Sequence, residues 1–173
     1  SDKILVISQT GKLKVIIPEL STHFEEDMIV LEKWKPKKPI SAIYYDGEKE
    51  RYFLKRFLVE NEGKEESFIT DHPNSQLEIV STDYRPLAQL VFAKVKGVQK
   101  EDLHIDVEDF IAVKGFKALG NQLTADKLKQ VNLLDPLPYE EPVEEIPEKP
   151  ELPEDDSVET ELEDDGQIGL ILE

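Results

Sequence analysis

The stretch from Ile40 to Phe57, ISAIYYDGEKERYFLKRF, decides the fold class. Ile40–Tyr45 is largely apolar and aromatic, and Asp46-Gly47 interrupts it with a residue pair suited to a tight turn. Arg51–Leu58 then alternates, with Phe53, Lys55 and Phe57 on one face and Tyr52, Leu54 and Arg56 on the other. Two such runs about an Asp-Gly turn predict a β-hairpin. The pattern extends outward in both directions. Lys3–Ser8 is a continuous apolar run that ends near Gln9-Thr10-Gly11, where the glycine supplies the positive φ of a hairpin turn. Lys12–Ile17 answers it, with Leu13 and Val15 on one face and Lys12 and Lys14 on the other, until Pro18 ends the strand. Gln76–Ser81 and Leu87–Lys94 predict a further pair about Thr82-Asp83-Tyr84-Arg85-Pro86. Asp109–Lys114 and Lys127–Leu133 flank a glycine-containing loop. Short helical turns are expected at Thr22–Asp27 and Thr124–Lys127, and no long amphipathic helix is present.

The leading residues Ile4, Ile40, Leu77 and Phe110 are spaced 36, 37 and 33 apart. Such spacing is similar to one blade per about 40–45 residues in a propeller-like array. A β-sandwich of the same strand count is the competing architecture.

Charge divides the chain of 173 residues into two parts. Residues 1–138 carry 20 Lys and Arg against 23 Asp and Glu, a net charge of -3. Residues 139–173 carry 1 basic and 15 acidic residues, a net charge of -14, punctuated by Pro142, Pro147, Pro150 and Pro153. A polyanionic, proline-broken segment repels itself and buries too little apolar surface to offset the entropy of ordering. The expected organisation is therefore a β-domain over 1–138 and a disordered acidic tail over 139–173. Gln167–Leu172 turns apolar again, as a docking motif or as a frayed terminus. The chain has no cysteine, which excludes disulfides and thiolate zinc sites. No apolar run approaches the roughly 20 residues of a membrane-spanning helix. An opening without Met reads as a piece cut from a longer protein, with Ser1 a remnant of the vector.

Three stretches carry a resemblance to a known family. Asp2–Val15, DKILVISQTGKLKV, is similar to the blade opening of the C-terminal domains of bacterial gyrase. Ile43–Phe57 resembles a blade of Bacteroides-type topoisomerase IV A subunits, with the pattern Y-x-D-G followed by Y-x-x-K-R-F. Phe110–Leu123, FIAVKGFKALGNQL, resembles a late blade of the same subunits. The resemblance covers about residues 2–134 and implies an all-β fold, a partial β-pinwheel of about three to four blades. It implies duplex DNA as partner, bent or held along a basic rim and presented to a strand-passage core. It also implies a B subunit that hydrolyses ATP, reached through that core, with magnesium and ATP serving the whole enzyme. The family's catalytic tyrosine, arginine and acidic metal site lie in other domains, so the resemblance assigns no catalytic residue, metal site or cofactor here. It further implies a cytoplasmic, nucleoid-associated protein whose excised domain is monomeric. The glutamine-arginine-glycine box of gyrase is absent. Gly115–Gly120 occupies a comparable place with one cation, Lys117, which favours the topoisomerase IV type over gyrase.

Ten cations are candidates for DNA contact. Lys33, Lys35, Lys37 and Lys38 surround Trp34 in the densest basic cluster. Cations of this kind gain affinity by releasing the counterions condensed on DNA. The alternative is a solvated loop whose Trp34 packs under the blade. Lys55 and Arg56 point to opposite faces; Arg56 suits a bidentate phosphate contact or an ion pair between blades. Lys94 and Lys96, with Lys100 nearby, sit at a strand end and loop, and Lys114 and Lys117 bracket Gly115. His23, His72 and His104 lack ligand spacing, and Asp106, Glu108 and Asp109 lack the glycine of a calcium loop. The second functional reading is a protein-interaction β-domain whose acidic arm takes basic partners.

Overall fold

A computed structural model describes residues 2–141. The expectations for the acidic tail beyond Glu141 and for Gln167–Leu172 fall outside the described residues. Those residues form three antiparallel sheets, and the fold is all-β. The first sheet holds β1 (Ile4–Ser8), β2 (Lys12–Ile16), β3 (Met28–Lys33) and β6 (Glu66–Ser67) in the order β3-β1-β2-β6. The second holds β4 (Ile40–Asp46), β5 (Arg51–Phe57), β7 (Gln76–Ser81) and β10 (Asn121–Thr124) in the order β10-β5-β4-β7. The third holds β8 (Leu87–Phe92), β9 (Leu103–Asp106) and β11 (Leu128–Leu134) in the order β11-β8-β9. One helical turn, α1 (Val107–Phe110), follows β9.

The three sheets share one wiring pattern, which is complete in the first two. A hairpin forms the middle: β1-β2, β4-β5 or β8-β9. A later strand pairs with the hairpin's first strand: β3 with β1, β7 with β4, and β11 with β8. The hairpin's second strand receives a partner from beyond the next hairpin, β6 on β2 and β10 on β5. Strands are thus exchanged between neighbouring blades, as in a pinwheel, and the three blades form an open array.

Packing explains the second sheet's composition. Its one face, with Ile40, Ala42, Phe57 and Leu77, meets Leu5, Ile7, Leu13 and Val15 of the first sheet. Its other face, with Ile43 and Leu54, meets Ala88, Leu90, Phe92, Ile105 and Leu128 of the third. A sheet covered on both sides needs apolar residues on both, which is why Ile40–Tyr45 reads as a continuous run. Phe57 is fully buried against Phe68 and Phe116, at ring centroid separations of 5.5 and 5.3 Å.

The hairpin turns follow the expected residues with one shift. Gly11 has φ +84°, as its turn requires. At Asp46-Gly47 the positive φ falls on Glu50, at 57°. The Asp46 carboxylate holds that turn by accepting hydrogen bonds from the backbone N–H groups of Glu48 and Lys49, at 2.9 and 3.1 Å.

Several expectations are corrected. Gln76–Ser81 and Leu87–Lys94 do not pair with each other. The first becomes β7, bonded to β4, and the second contains β8, bonded to β9 and β11. The segment Thr82–Pro86 is therefore a crossing between blades. Leu77 completes a sheet and Leu87 opens one, so the leading residues of the three hairpins are Ile4, Ile40 and Leu87. Phe110 opens no strand. No strand forms over the run expected as Asp109–Lys114: α1 takes its first two residues, because Val107 and Ile111 four residues apart both enter the core, and the rest is irregular up to the isolated bridge at Lys114. No helix forms at the two expected helical turns: Thr22–Asp27 is irregular chain ending in a turn, and Thr124 closes β10 before a bend.

Candidate nucleic-acid interface

The loop between β3 and β4 carries Lys33, Lys35, Lys37 and Lys38. It stays in place because Trp34 is anchored. The Trp34 backbone N–H donates to the Lys3 carbonyl at 2.9 Å, and its half-buried side chain packs against the core between the first two sheets. A tight turn follows, with the Lys38 N–H donating to the Lys35 carbonyl at 3.0 Å. Lys33, Lys35 and Lys37 are exposed. Lys33 faces Asp2 at 3.6 Å, an exposed pair of the kind that contributes little to stability. Lys38 is more enclosed, 3.9 Å from Glu32 and 5.5 Å from the centre of the Tyr84 ring. Lys3 joins the group by lying over Trp34, 6.0 Å from the ring centre. Sequence separation hides that neighbour, but the pairing of Ile4 with Lys33 brings it there.

Lys94 and Lys96 lie at the other end of their sheet, on the β8–β9 connection. Val95 and Val98 exchange two backbone hydrogen bonds, at 3.1 and 2.9 Å, about Lys96 (φ 51°) and Gly97 (φ 78°). Two successive positive φ values make this a tight hairpin turn. It exposes both valines, together with Lys94, Lys96 and Lys100. Lys100 is paired with Asp126 at 2.6 Å.

Lys114 and Lys117 lie on a fixed loop. Its carbonyl groups are held from below: the Tyr44 hydroxyl donates to the Leu119 carbonyl at 2.7 Å, and the Lys55 ammonium to the Phe116 carbonyl at 2.8 Å. The Phe116 N–H donates to the Glu60 carboxylate at 2.9 Å. The Lys114 ammonium donates to the Asn121 side-chain oxygen at 2.8 Å, and Lys117 is exposed. Gly120 closes the loop at φ +100°, where an added Cβ would stand 2.5 Å from the Leu54 carbonyl oxygen. Gly120→Ala is expected to destabilise the domain by about 1–3 kcal/mol, since a side chain at positive φ is strained and here also meets backbone. Urea unfolding of both proteins measures this.

Lys55 and Arg56 lie inside the domain, Arg56 at the junction between blades that its second reading named. Each is 6% exposed. The alternation of β5 sends them to opposite faces, as expected, but both faces are covered by neighbouring sheets. The Lys55 ammonium donates to the carbonyl groups of Phe68 and Phe116 and lies 5.0 and 5.2 Å from the ring centres of Phe57 and Phe116. Arg56 donates to the Tyr84 carbonyl at 2.7 Å, on the crossing between the second and third sheets. Burial lowers both pKa values, that of Lys55 to about 8. The two residues bolt blades together.

The remaining eight candidates fall into three groups: the β3–β4 loop, the β8–β9 hairpin and the 114–117 loop. The first lies where β1 and β4 start. The second is a hairpin tip, at the opposite end of its strands. Pairing of Phe57 with Lys114 puts the third beside the end of β5. No curated protein matches this chain. Residues 1–135 match the family described as the topoisomerase C-terminal domain of Bacteroidota. That match takes in all three sheets and every exposed cation of the three groups, so the chain belongs to the Bacteroidota topoisomerase C-terminal domain family.

Proposed function

We propose that this domain is a non-catalytic DNA-binding and DNA-bending module of a type II topoisomerase A subunit, of the topoisomerase IV type. It presents duplex DNA to the strand-passage core of the whole enzyme, which works with a B subunit, ATP and magnesium in a nucleoid-associated, cytoplasmic setting. The observation that carries the reading is the β3–β4 loop. Its exposed cations ride on an anchored Trp34, so phosphates meet a positioned cluster instead of a floppy one. Such contacts hold the backbone and do not read bases, so binding is sequence-tolerant. The β8–β9 hairpin and the 114–117 loop supply Lys94, Lys96, Lys114 and Lys117 as further contacts.

Duplex-DNA binding by the full chain across a salt series tests this. Affinity should fall as salt rises, with a log–log slope of about 0.9 per neutralised phosphate. The triple variant K33Q/K35Q/K37Q should lower that slope by up to about 2.7 while shifting the unfolding midpoint little, since all three residues are exposed. Absence of binding at low salt would sink the reading. The outcome would then favour the second one, an interaction domain for basic protein partners, which the near-neutral charge of residues 1–138 supports.

A further inference from the structure

The tip of the β8–β9 connection joins two kinds of chemistry that phosphate contact alone does not need. Val95 and Val98 face each other across the Lys96-Gly97 turn, bonded both ways, so their side chains leave the same face of the ribbon. They are 53 and 63% exposed, and neither packs against an apolar core of the described residues. Around them the charge is of one sign. Residues 93–100, AKVKGVQK, hold three lysines and no acid, in a domain whose residues 1–138 carry a net charge of -3. Exposed Lys127 joins them, because the Ala93 N–H donates to its carbonyl at 3.0 Å.

We propose that this tip is an apolar wedge for duplex DNA: Val95 and Val98 enter the minor groove and part a base step, while Lys94 and Lys96 hold the phosphates on either side. The inference rests on the DNA-binding reading above and adds to it the means by which the duplex is bent. Charge selects the class of occupant. Three lysines without an acid attract an anionic partner and repel the basic proteins of the second reading. The valines narrow it further, since two apolar side chains need apolar surface to meet. Phosphates offer none, whereas the deoxyribose walls and base faces of a groove do. Apolar wedges act from the minor groove, which opens as the duplex kinks toward the major groove.

Energetics point the same way. Bending a duplex costs free energy, which a strongly basic rim recovers through added phosphate contacts. A domain with a net charge of -3 has few cations for that. Two valines leaving water offset part of the cost without any charge. The tip is also braced against being pushed back. The Gln99 side-chain amide donates to the Phe92 carbonyl at 2.8 Å and to the Lys100 carbonyl at 3.2 Å, and the Lys100 ammonium pairs with Asp126. The outside of the turn is open to approach, since a Cβ added at Gly97 would meet nothing within 4 Å. Such a wedge favours flexible pyrimidine–purine steps, which unstack most easily, and reads no base edge.

The test titrates the full chain onto a duplex of roughly 20–30 base pairs with 2-aminopurine in its single TpA step. This base is quenched while stacked, so wild-type protein should brighten it at saturation. V95S/V98S should bind about tenfold more weakly, keep the wild-type salt slope and leave the probe dark at saturation. K94Q/K96Q should lower the slope by up to about 1.8 yet brighten the probe once saturated. Both variants replace exposed residues, and unfolding midpoints equal to that of wild type verify their folds. Brightening by V95S/V98S equal to that of wild type would overturn the wedge and leave the DNA-binding reading standing. Salt-dependent binding of wild type with a dark probe would do the same. Absence of wild-type binding at low salt would remove both. Binding of wild type, but not of V95S/V98S, to phosphatidylglycerol vesicles in that case would assign the tip to an anionic lipid surface.

Discussion

Phe57→Ala should lower the stability of the domain by about 3–5 kcal/mol, the largest loss expected of any single truncation considered. The side chain is fully buried and sits where three elements converge: β5 itself, Phe68 after β6, and Phe116 on the pinned loop. Removing it deletes transfer free energy and leaves a cavity bounded by backbone that hydrogen bonds hold open, so collapse of the site is limited. The phenyl ring also faces the Lys55 ammonium at 5.0 Å, and that contact disappears as well. Urea unfolding followed by Trp34 fluorescence and by far-ultraviolet circular dichroism measures the loss. Trp34 reports the junction of the first two sheets and circular dichroism reports all three. A loss below about 1 kcal/mol would mean that the two sheets do not depend on this contact.

Lys55→Ala comes second, at about 2–4 kcal/mol. The substitution orphans the carbonyl groups of Phe68 and Phe116, which the ammonium satisfies at 2.9 and 2.8 Å, and empties the space of the alkyl stem. Wild-type protein also carries a pH signature of this lysine. Burial lowers its pKa from 10.5 to about 8, so the folded state gives up the proton more readily than the unfolded chain does. Between those two values the unfolded state binds more protons, and stability contributed by this group rises with pH. Below about pH 8 the cost of burying the charge is present in full. Denaturant titrations at intervals across pH 8 to 10.5 should show the rise in wild type and its absence in Lys55→Ala. Parallel curves for the two proteins would assign the lysine its ordinary pKa.

Local chemistry was legible in the sequence. The Asp46-Gly47 turn and the alternation of Arg51–Leu58 follow from residues a few positions apart, and the hairpin forms as they dictate. The opposite facing of Lys55 and Arg56 was legible too. What covers those faces was not, because it depends on sheets assembled from distant segments, so the sequence did not show that both cations are buried. The short outer strands were hidden for a related reason. β6 is the dipeptide Glu66-Ser67, too brief to alternate, and β9 is Leu103-His104-Ile105-Asp106, with only one well-buried residue. The similar spacing of Ile4, Ile40, Leu77 and Phe110 misled, since β7 repeats the apolar character of a blade opening while completing the blade before it. The basic cluster at Lys33–Lys38 was visible as composition, whereas Lys3 joins it only through strand register.

The exchange of outer strands also orders events as the chain leaves the ribosome. The β1-β2 hairpin and β3 emerge first, yet their sheet waits for β6, which follows the whole β4-β5 hairpin. The second sheet waits in the same way for β10, behind β8 and β9. Each of the first two nascent blades thus shows an unpaired edge until its successor has been synthesised, the interval in which edge-to-edge association between chains is most dangerous. Once β6 and β10 are in place, neither of the first two blades can be peeled away without breaking the one beside it. A duplication or loss of a blade must therefore be cut across two sheets and cannot fall cleanly between them.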